Sequence, residues 1–179
     1  RSELEQMYIP HGHRLGEVVV EAKELRKGYD IFYLVCHGAL VDDEPWLRLE
    51  DAEGTEHRVQ GALLASQLRG LRQRPRLVVL ASCQSAGTGD RSESGQQGIL
   101  AALGPQLAQA GIPAVIAMQG FITINTMEKF LPAFFQELQQ DGQIDRAMAV
   151  ARGAVRDLPD WYMPVLFMHL KDGRLWEVG

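Results

Sequence analysis

Apolar residues along the chain follow two kinds of pattern. Some form short continuous runs, which are typical of strands buried on both faces of a parallel sheet. These runs predict strands at residues 31–36, 77–82, 114–118 and 163–169, preceded by a short strand at 4–9. Other apolar residues recur at intervals of three and four, as they do along one face of a helix. That spacing predicts helices at residues 15–27, 60–71, 99–110, 123–140 and 144–157.

The segments between these elements carry turn signals. Residues 47–59 alternate apolar and polar positions around Glu53 and Gly54, which predicts a β-hairpin. Residues 87–98 are polar and rich in Gly and Ser, which predicts a loop. Strands that alternate with helices predict an α/β fold, in which helices cover both faces of a mainly parallel central sheet. The length of 179 residues suits one domain with a sizeable core.

Composition argues against several classes of function. The net charge is −5 and the basic residues do not cluster, which argues against a nucleic-acid partner. The apolar runs are far shorter than the roughly 20 residues of a membrane-spanning helix, so we expect no membrane partner. Cys36 and Cys83 are the two cysteines of the sequence, and they do not form a disulfide framework pattern. Such cysteines suit a reducing compartment, so we expect a cytoplasmic protein.

Two predicted strands end in side chains with catalytic chemistry. The stretch YDIFYLVCHGAL brings His37 to the end of one strand, and RLVVLASCQSAG brings Cys83 to the end of the next. In open parallel sheets, functional groups gather beyond the carboxyl ends of the strands. Neighbouring strands lie about 4.8 Å apart, so we expect the two residues to meet. Cys83 follows His37 by 46 residues, close to the roughly 50-residue separation of caspase-type proteases.

A cysteine and a histidine in contact supply a nucleophile and a proton carrier. The imidazole helps to convert the thiol into a thiolate, and it can protonate the leaving amine. The backbone N–H groups of Gly38 and Cys83 are candidate donors to the oxyanion. A lone cysteine or histidine is more often structural, but the conjunction of the two at strand ends favours a cysteine protease. Cys36 should face away from its neighbour His37, so we assign it to the core.

The same motifs resemble a known family. The segments YDIFYLVCHG and RLVVLASCQSAG, followed by GILAALGPQLAQAGIPAVIAM, are similar to the CHAT proteases, a bacterial branch of the caspase-like clan CD cysteine peptidases related to separase. The resemblance covers about residues 15–168. It implies a caspase-like three-layer α/β/α sandwich, a catalytic dyad of His37 and Cys83, and no cofactor. It also implies control by helical repeats such as TPRs, and a role in antiviral defence or cell death.

The segment that follows residues 114–118 departs from the family pattern. Many family members carry acidic residues there, whereas QGFITINTMEKF has no acid before Glu128. Because acidic pockets select basic side chains, their absence predicts cleavage after a neutral or apolar residue. An acid elsewhere (Asp42, Asp43 or Asp90) is the alternative. We predict that four residues line the pocket: Gln119, Phe121, Trp161 and Met163. Ordinary packing is the alternative role for the two aromatic residues.

The start of the sequence leads to an expectation about domain organisation. The chain begins RSELEQMY, without an initiator methionine, and family members usually have a strand and a helical segment before this point. Either residues 4–9 take the place of that strand or a separate N-terminal piece does. We expect one peptidase domain over residues 1–179 that lacks an N-terminal strand or follows a regulatory region. The expected partners are a protein substrate and a TPR-type domain or N-terminal fragment of the same protein.

Alternatives to an active peptidase remain open. A catalytically inactive module of the same fold would only bind partners. The second alternative is a different thiol enzyme or a nucleotide-binding α/β domain. The nucleotide-binding domain is less favoured, because GTGDRSESG has Ser92 where the glycine motif requires its third glycine. The motif HGH at residues 11–13 has no further ligand at metal-binding spacing, so we interpret it as a solvated loop.

Overall fold

The computed structural model describes residues 6–9, 28–42, 44–50, 56–81, 99–120 and 122–176. The described strands are β1 (Gln6–Ile9), β2 (Ile31–Val35), β3 (His37–Val41), β4 (Glu44–Glu50), β5 (Glu56–Gln60), β6 (Leu77–Ala81), β7 (Ala114–Met118) and β8 (Pro164–Met168). The described helices are α1 (Gly61–Arg69), α2 (Ile99–Gln109), α3 (Ile124–Asp141) and α4 (Ile144–Ala154). The helix predicted at 15–27 and the loop predicted at 87–98 lie outside the described residues.

Five of the described strands form the central sheet, in the order β1-β2-β6-β7-β8. The first four of these run parallel to one another, and β8 is antiparallel to β7. β1 pairs with β2 along its whole length, so most of the strand predicted at 4–9 takes a place in the sheet. The predicted fold class, an α/β sandwich with a mainly parallel central sheet, is confirmed.

The central strands are buried on both faces, and their successive side chains point alternately to one face and to the other. Val78 and Leu80 of β6 belong to the cluster that includes α1 and α2. Leu77 and Val79 belong to the cluster that includes α3 and α4. Because successive side chains of a strand point to opposite faces, a strand covered by helices on both sides is apolar at every position. This burial explains the continuous apolar runs in the sequence.

Three of the described strands form a second, antiparallel sheet in the order β3-β4-β5. A single residue, Cys36, separates β2 from β3. The hairpin predicted at 47–59 is present as β4 and β5. The sequence pattern did not predict β3. The apolar run continues from β2 through Cys36 without Pro, Asn or Asp to mark the change of direction.

Candidate active site

The carboxyl ends of β2 and β6 lie side by side at one edge of the central sheet. Their parallel pairing sets Val35 opposite Ala81. The pairing extends one residue further, since the Cys36 backbone N–H donates to the Ala81 carbonyl oxygen at 3.0 Å. Both strands therefore end at the same level. His37 follows the last residue of β2 by two positions in the sequence, and Cys83 follows the last residue of β6 by two positions.

His37 is the first residue of β3. Its backbone is the register partner of Arg48 in β4, and Gly38 is the partner of Leu47. The sequence pattern places His37 at the end of a strand, whereas in the structure the chain enters the second sheet there. Antiparallel pairing therefore holds the backbone of His37 and Gly38. The roles of His37 as acid and base and of Gly38 as an oxyanion donor stay predictions.

Two of the predicted site residues, Cys83 and Phe121, lie outside the described residues. β6 ends at Ala81, two residues before Cys83, and β7 ends at Met118, three residues before Phe121. The contact between Cys83 and His37 and the oxyanion role of the Cys83 N–H stay predictions. The same holds for Phe121 as a pocket residue.

Cys36 is a buried thiol. Its side chain is 3% exposed and packs in the cluster that includes α1 and α2. Burial raises the pKa of the thiol to about 12, because the apolar surroundings disfavour the thiolate. The prediction that Cys36 belongs to the core is confirmed, and this cysteine is a protonated thiol at neutral pH.

Two of the predicted pocket residues, Gln119 and Met163, are in contact where β7 ends, and Trp161 lies two residues before Met163. The Gln119 N–H donates to the Met163 carbonyl oxygen at 2.9 Å, and the Gln119 side-chain amide donates to the Tyr162 carbonyl oxygen at 3.3 Å. Trp161 and Tyr162 are exposed, with their ring centroids 6.1 Å apart in an edge-to-face arrangement. The structure thus brings Gln119, the Trp161 segment and Met163 together. Their role in binding substrate stays a prediction.

The acids named as alternatives for the pocket are described only in part. Asp42 is an exposed residue in the turn between β3 and β4, with a φ of 52°. Asp43 and Asp90 lie outside the described residues. A further acid, Asp160, directly precedes Trp161, and no sequence pattern predicted a role for it.

Asp160 is a buried carboxylate that holds the start of α3. It is 6% exposed, and it accepts hydrogen bonds from the Thr123 N–H at 2.6 Å and the Thr126 hydroxyl at 2.5 Å. Burial alone would raise the pKa of Asp160, but these hydrogen bonds outweigh burial and hold the pKa below its ordinary value of 3.8. Asp160 is therefore ionised at neutral pH although it is almost completely buried.

Part of this arrangement had a signal in the sequence. Thr123 is the N-cap of α3, and its side-chain oxygen accepts from the Thr126 N–H at 3.3 Å. A threonine before an amphipathic segment is a recognisable helix start. Asp160, in contrast, lies 34 residues beyond Thr126. No local pattern connects residues so far apart, so the buried carboxylate emerges only from the fold.

Among the described residues, no helix combines the length and the apolar character of a membrane span. Nor does this part of the chain bring three or more His, Cys, Asp and Glu side chains together in a way suited to a metal ion. The HGH motif at residues 11–13 lies outside the described residues.

Comparison with known proteins assigns the family. No curated protein matches the sequence. The family model described as the CHAT domain matches residues 13–169. This match covers most of the chain, includes both His37 and Cys83, and agrees with the motifs and with the sheet topology. The chain therefore belongs to the CHAT domain family, whose members are caspase-like and related to peptidases.

Proposed function

We propose that this chain is a cysteine endopeptidase with Cys83 as nucleophile and His37 as general acid and base. Cys83 gives its thiol proton to His37, and the thiolate attacks the carbonyl carbon of the scissile peptide bond. The imidazolium returns the proton to the leaving amine as the C–N bond breaks. Water, deprotonated by His37, then hydrolyses the thioester. The N–H groups of Gly38 and Cys83 stabilise the oxyanion in both steps.

The observation that carries this proposal is the alignment of two strand ends. Val35 and Ala81 are register partners, and His37 and Cys83 each follow one of them by two residues in the sequence. Adjacent strands are about 4.8 Å apart, so the chain leaves the central sheet towards His37 and towards Cys83 from neighbouring points. This proximity of the two exits supports contact between the two side chains. Membership of the CHAT family supports the same assignment from a separate source.

Cys36 supports the assignment by exclusion. A thiolate, not a thiol, is the nucleophile in cysteine proteases. With a pKa of about 12 and a buried side chain, Cys36 supplies no thiolate at neutral pH. Because the sequence has two cysteines, the nucleophile of the proposed reaction is Cys83.

For the substrate we infer a polypeptide with a neutral or apolar residue before the scissile bond. Gln119, Trp161 and Met163 present uncharged side chains close to the end of β7. The acid that adjoins Trp161 has both carboxylate oxygens bound to α3. Asp160 is therefore poorly placed to pair with a basic substrate side chain, and the other side chains favour an uncharged one.

The wider setting is inferred from the family resemblance. An attached or partner domain, such as a TPR-type repeat or an N-terminal fragment, controls the activity in this proposal. The pathway is one of bacterial defence or cell death, in the cytoplasm. The thiol state of Cys36 and the sequence spacing of the two cysteines suit the reducing conditions of that compartment.

Cleavage of a mixture of cellular proteins tests the proposal. The purified full chain, together with any partner that co-purifies, is incubated with the mixture, and new N-termini are identified by mass spectrometry. We expect cleavage to fall by about 10³-fold or more in Cys83→Ala and His37→Ala, because the two residues act as one unit. Cys36→Ala is the matched control, since it removes the other thiol from the core, and it should retain cleavage.

Three results would contradict the proposal. Cleavage that survives Cys83→Ala would exclude Cys83 as the nucleophile. Cleavage sites that follow basic residues would contradict the inferred preference. In the folded protein, iodoacetamide at pH 7 should alkylate Cys83 and spare Cys36. If both cysteines react as slowly as a buried thiol and no protein is cleaved, the chain is a catalytically inactive interaction module.

A further inference from the structure

One buried carboxylate ties together two segments at the candidate site's edge of the sheet. β7 ends at Met118, which is the register partner of Pro164 at the start of β8. The segment after β7 and the segment before β8 therefore lie at the same sheet edge. That edge is also where β2 and β6 end, because β7 runs parallel to both. Asp160 belongs to the segment before β8, and its carboxylate binds the segment after β7.

The hydrogen bonds around Asp160 have a defined direction. An ionised carboxylate only accepts, so the single hydroxyl proton of Thr126 points to Asp160. The hydroxyl of Thr123 lies 2.9 Å from that of Thr126, and a side-chain hydrogen bond from Thr123 also helps to lower the pKa of Asp160. The Thr123 oxygen in turn accepts from the Thr126 N–H. Every polar side-chain group of this trio has a partner, and such complete networks hold one arrangement in place.

Hydrogen bonds connect the segment that contains Asp160 to the predicted pocket residues. The Met163 N–H donates to the Asp160 carbonyl oxygen at 3.0 Å, and the Met163 carbonyl oxygen accepts from the Gln119 N–H at 2.9 Å. Gly120 lies so close that a Cβ on it would be 3.0 Å from the Met163 sulfur. Thus the Asp160 carboxylate, the turn that it begins and the residues after β7 form one connected structure.

Large apolar side chains are exposed directly beside this anchor. Trp161 is 37% exposed and Tyr162 is 50% exposed, and Ile124, next to Thr123, is 47% exposed. Ordered aromatic side chains with exposed faces are frequent in binding sites, because little conformational entropy is lost when they bind. The buried half of the segment provides the order, and the exposed half provides the apolar surface.

We propose that Asp160 is a positioning residue for substrate binding, which fixes Gln119 and the Trp161–Tyr162 pair as a rigid wall that receives an apolar side chain of the substrate peptide. This inference rests on the proposed peptidase function. Asp160 does not touch the reacting atoms and acts through the segment that it anchors. Its loss should therefore weaken the capture of a peptide and leave the reactivity of the Cys83 thiol unchanged.

Two alkylating reagents separate these effects. Iodoacetamide reacts with a thiolate and makes few other contacts, whereas a tripeptidyl chloromethyl ketone ending in leucine must also occupy the peptide-binding edge. Each reagent forms a C–S bond and releases its halide. The second-order rate at Cys83 is measured by peptide mass spectrometry in the full chain. The variants are Asp160→Ala, Thr126→Val, Thr126→Ser and, as a control at the far end of α3, Asp141→Asn.

We expect the chloromethyl ketone rate to fall by about tenfold or more in Asp160→Ala and Thr126→Val. A small displacement of the binding wall moves the reagent's reactive carbon out of line with the Cys83 sulfur, and such misplacement slows a reaction strongly. The iodoacetamide rate should stay within about twofold of wild type. Thr126→Ser keeps the hydroxyl and should restore the chloromethyl ketone rate. Hydrogen–deuterium exchange should be faster at the Gln119 and Met163 amides in Asp160→Ala, and unchanged in Asp141→Asn.

Other outcomes overturn the inference, and they are distinguishable from one another. Unchanged exchange at Gln119 and Met163 would show that Asp160 does not order this segment. Faster exchange with an unchanged chloromethyl ketone rate would show that the segment does not take part in peptide binding, and it would leave the peptidase proposal intact. A parallel fall in both alkylation rates would indicate a general structural role. No reaction of wild-type Cys83 with either reagent would overturn the proposed function itself.

Discussion

Asp160 combines a negative charge with almost complete burial. Such a charge is tolerated only where hydrogen bonds replace the lost hydration. Here the lost hydration is replaced by hydrogen bonds from the N–H of Thr123, the N-cap of α3, and from the hydroxyl of Thr126 in its first turn. The position also suits the positive end of the helix dipole. Both of these groups donate to an ionised carboxylate, so the strength of the arrangement depends on pH.

The contribution of Asp160 to stability should therefore disappear in acid. Its folded-state pKa is below the ordinary value of 3.8, so this contribution is complete above that value and is lost as the pH falls through the folded-state pKa. The measurement is the melting temperature of wild type and of Asp160→Asn between pH 2 and pH 7. We expect the advantage of wild type to be constant above about pH 5 and to shrink below about pH 4. An advantage that grows in acid would contradict an ionised Asp160.

At the residue scale, the sequence predicts side chains whose role depends on near neighbours. Cys36 could be assigned to the core because strand residues alternate between faces, and that prediction is confirmed. Asp160 could not be identified, because its partners are distant in sequence and an acid in a turn normally faces water. The contact between His37 and Cys83 stays a prediction, since Cys83 lies outside the described residues.

At the scale of elements, the passage from β2 to β3 sets the backbone of the candidate site. Cys36 is the single residue between the two strands, and its N–H still pairs with β6 while His37 already pairs with β4. The chain thus exchanges one sheet for another within two residues. Hydrophobic periodicity predicts that a segment is extended, but it does not specify the partner strand. For this reason β2 could be predicted and β3 could not.

Helix ends provide a direct test at the same scale. The C-terminal end of α3 is capped by Gly142, whose φ is 76° and whose N–H donates to the Leu138 carbonyl oxygen at 2.8 Å. A Cβ there would lie 2.7 Å from the Trp176 carbonyl oxygen. Gly153 lies within α4, and a Cβ on it would meet no atom within 4 Å. The same substitution should therefore have opposite effects at the two glycines.

We expect Gly142→Ala to lower the free energy of unfolding by about 1–3 kcal/mol, because it adds backbone strain and a contact with main chain. Gly153→Ala should raise the free energy of unfolding by about 0.5 kcal/mol, because alanine is the better helix former and the site is open. Denaturant titration followed by circular dichroism measures both. If both variants were destabilised equally, the left-handed helix end would not be the cause.

At the scale of the whole molecule, one sheet separates two apolar cores. The cluster on one face includes residues of α1 and α2, and the cluster on the other includes residues of α3 and α4. Strands β6 and β7 contribute alternate side chains to each. Because both cores pack on the same sheet, disruption of the sheet exposes both of them to water. The two helical layers should therefore unfold together. The rival possibility is that α3 and α4, consecutive helices that pack on one face, open by themselves as a local unit.

Substitutions in the two layers distinguish these possibilities. Leu107 in α2 and Phe134 in α3 are completely buried on opposite faces of the sheet. Leu107→Ala should cost about 2–5 kcal/mol, and Phe134→Ala about 3–5 kcal/mol, through lost burial and residual cavities. If unfolding is cooperative, Leu107→Ala should reduce the exchange protection of the α3 amides by its full cost, and Phe134→Ala should do the same to those of α2. Native-state hydrogen exchange measures both effects.

Unequal effects of the two substitutions would bear on the regulation proposed for this domain. If Leu107→Ala leaves the α3 amides protected as in wild type, α3 and α4 open below the global transition. The Asp160 anchor would then open with them, because it binds the first turn of α3. A partner that contacts α3 or α4 would in that case control the proposed binding wall through local stability alone. If each substitution instead reduces protection equally in both layers, α3 and α4 have no local unfolding equilibrium that a partner could shift. Any such partner would then have to contact the binding wall directly.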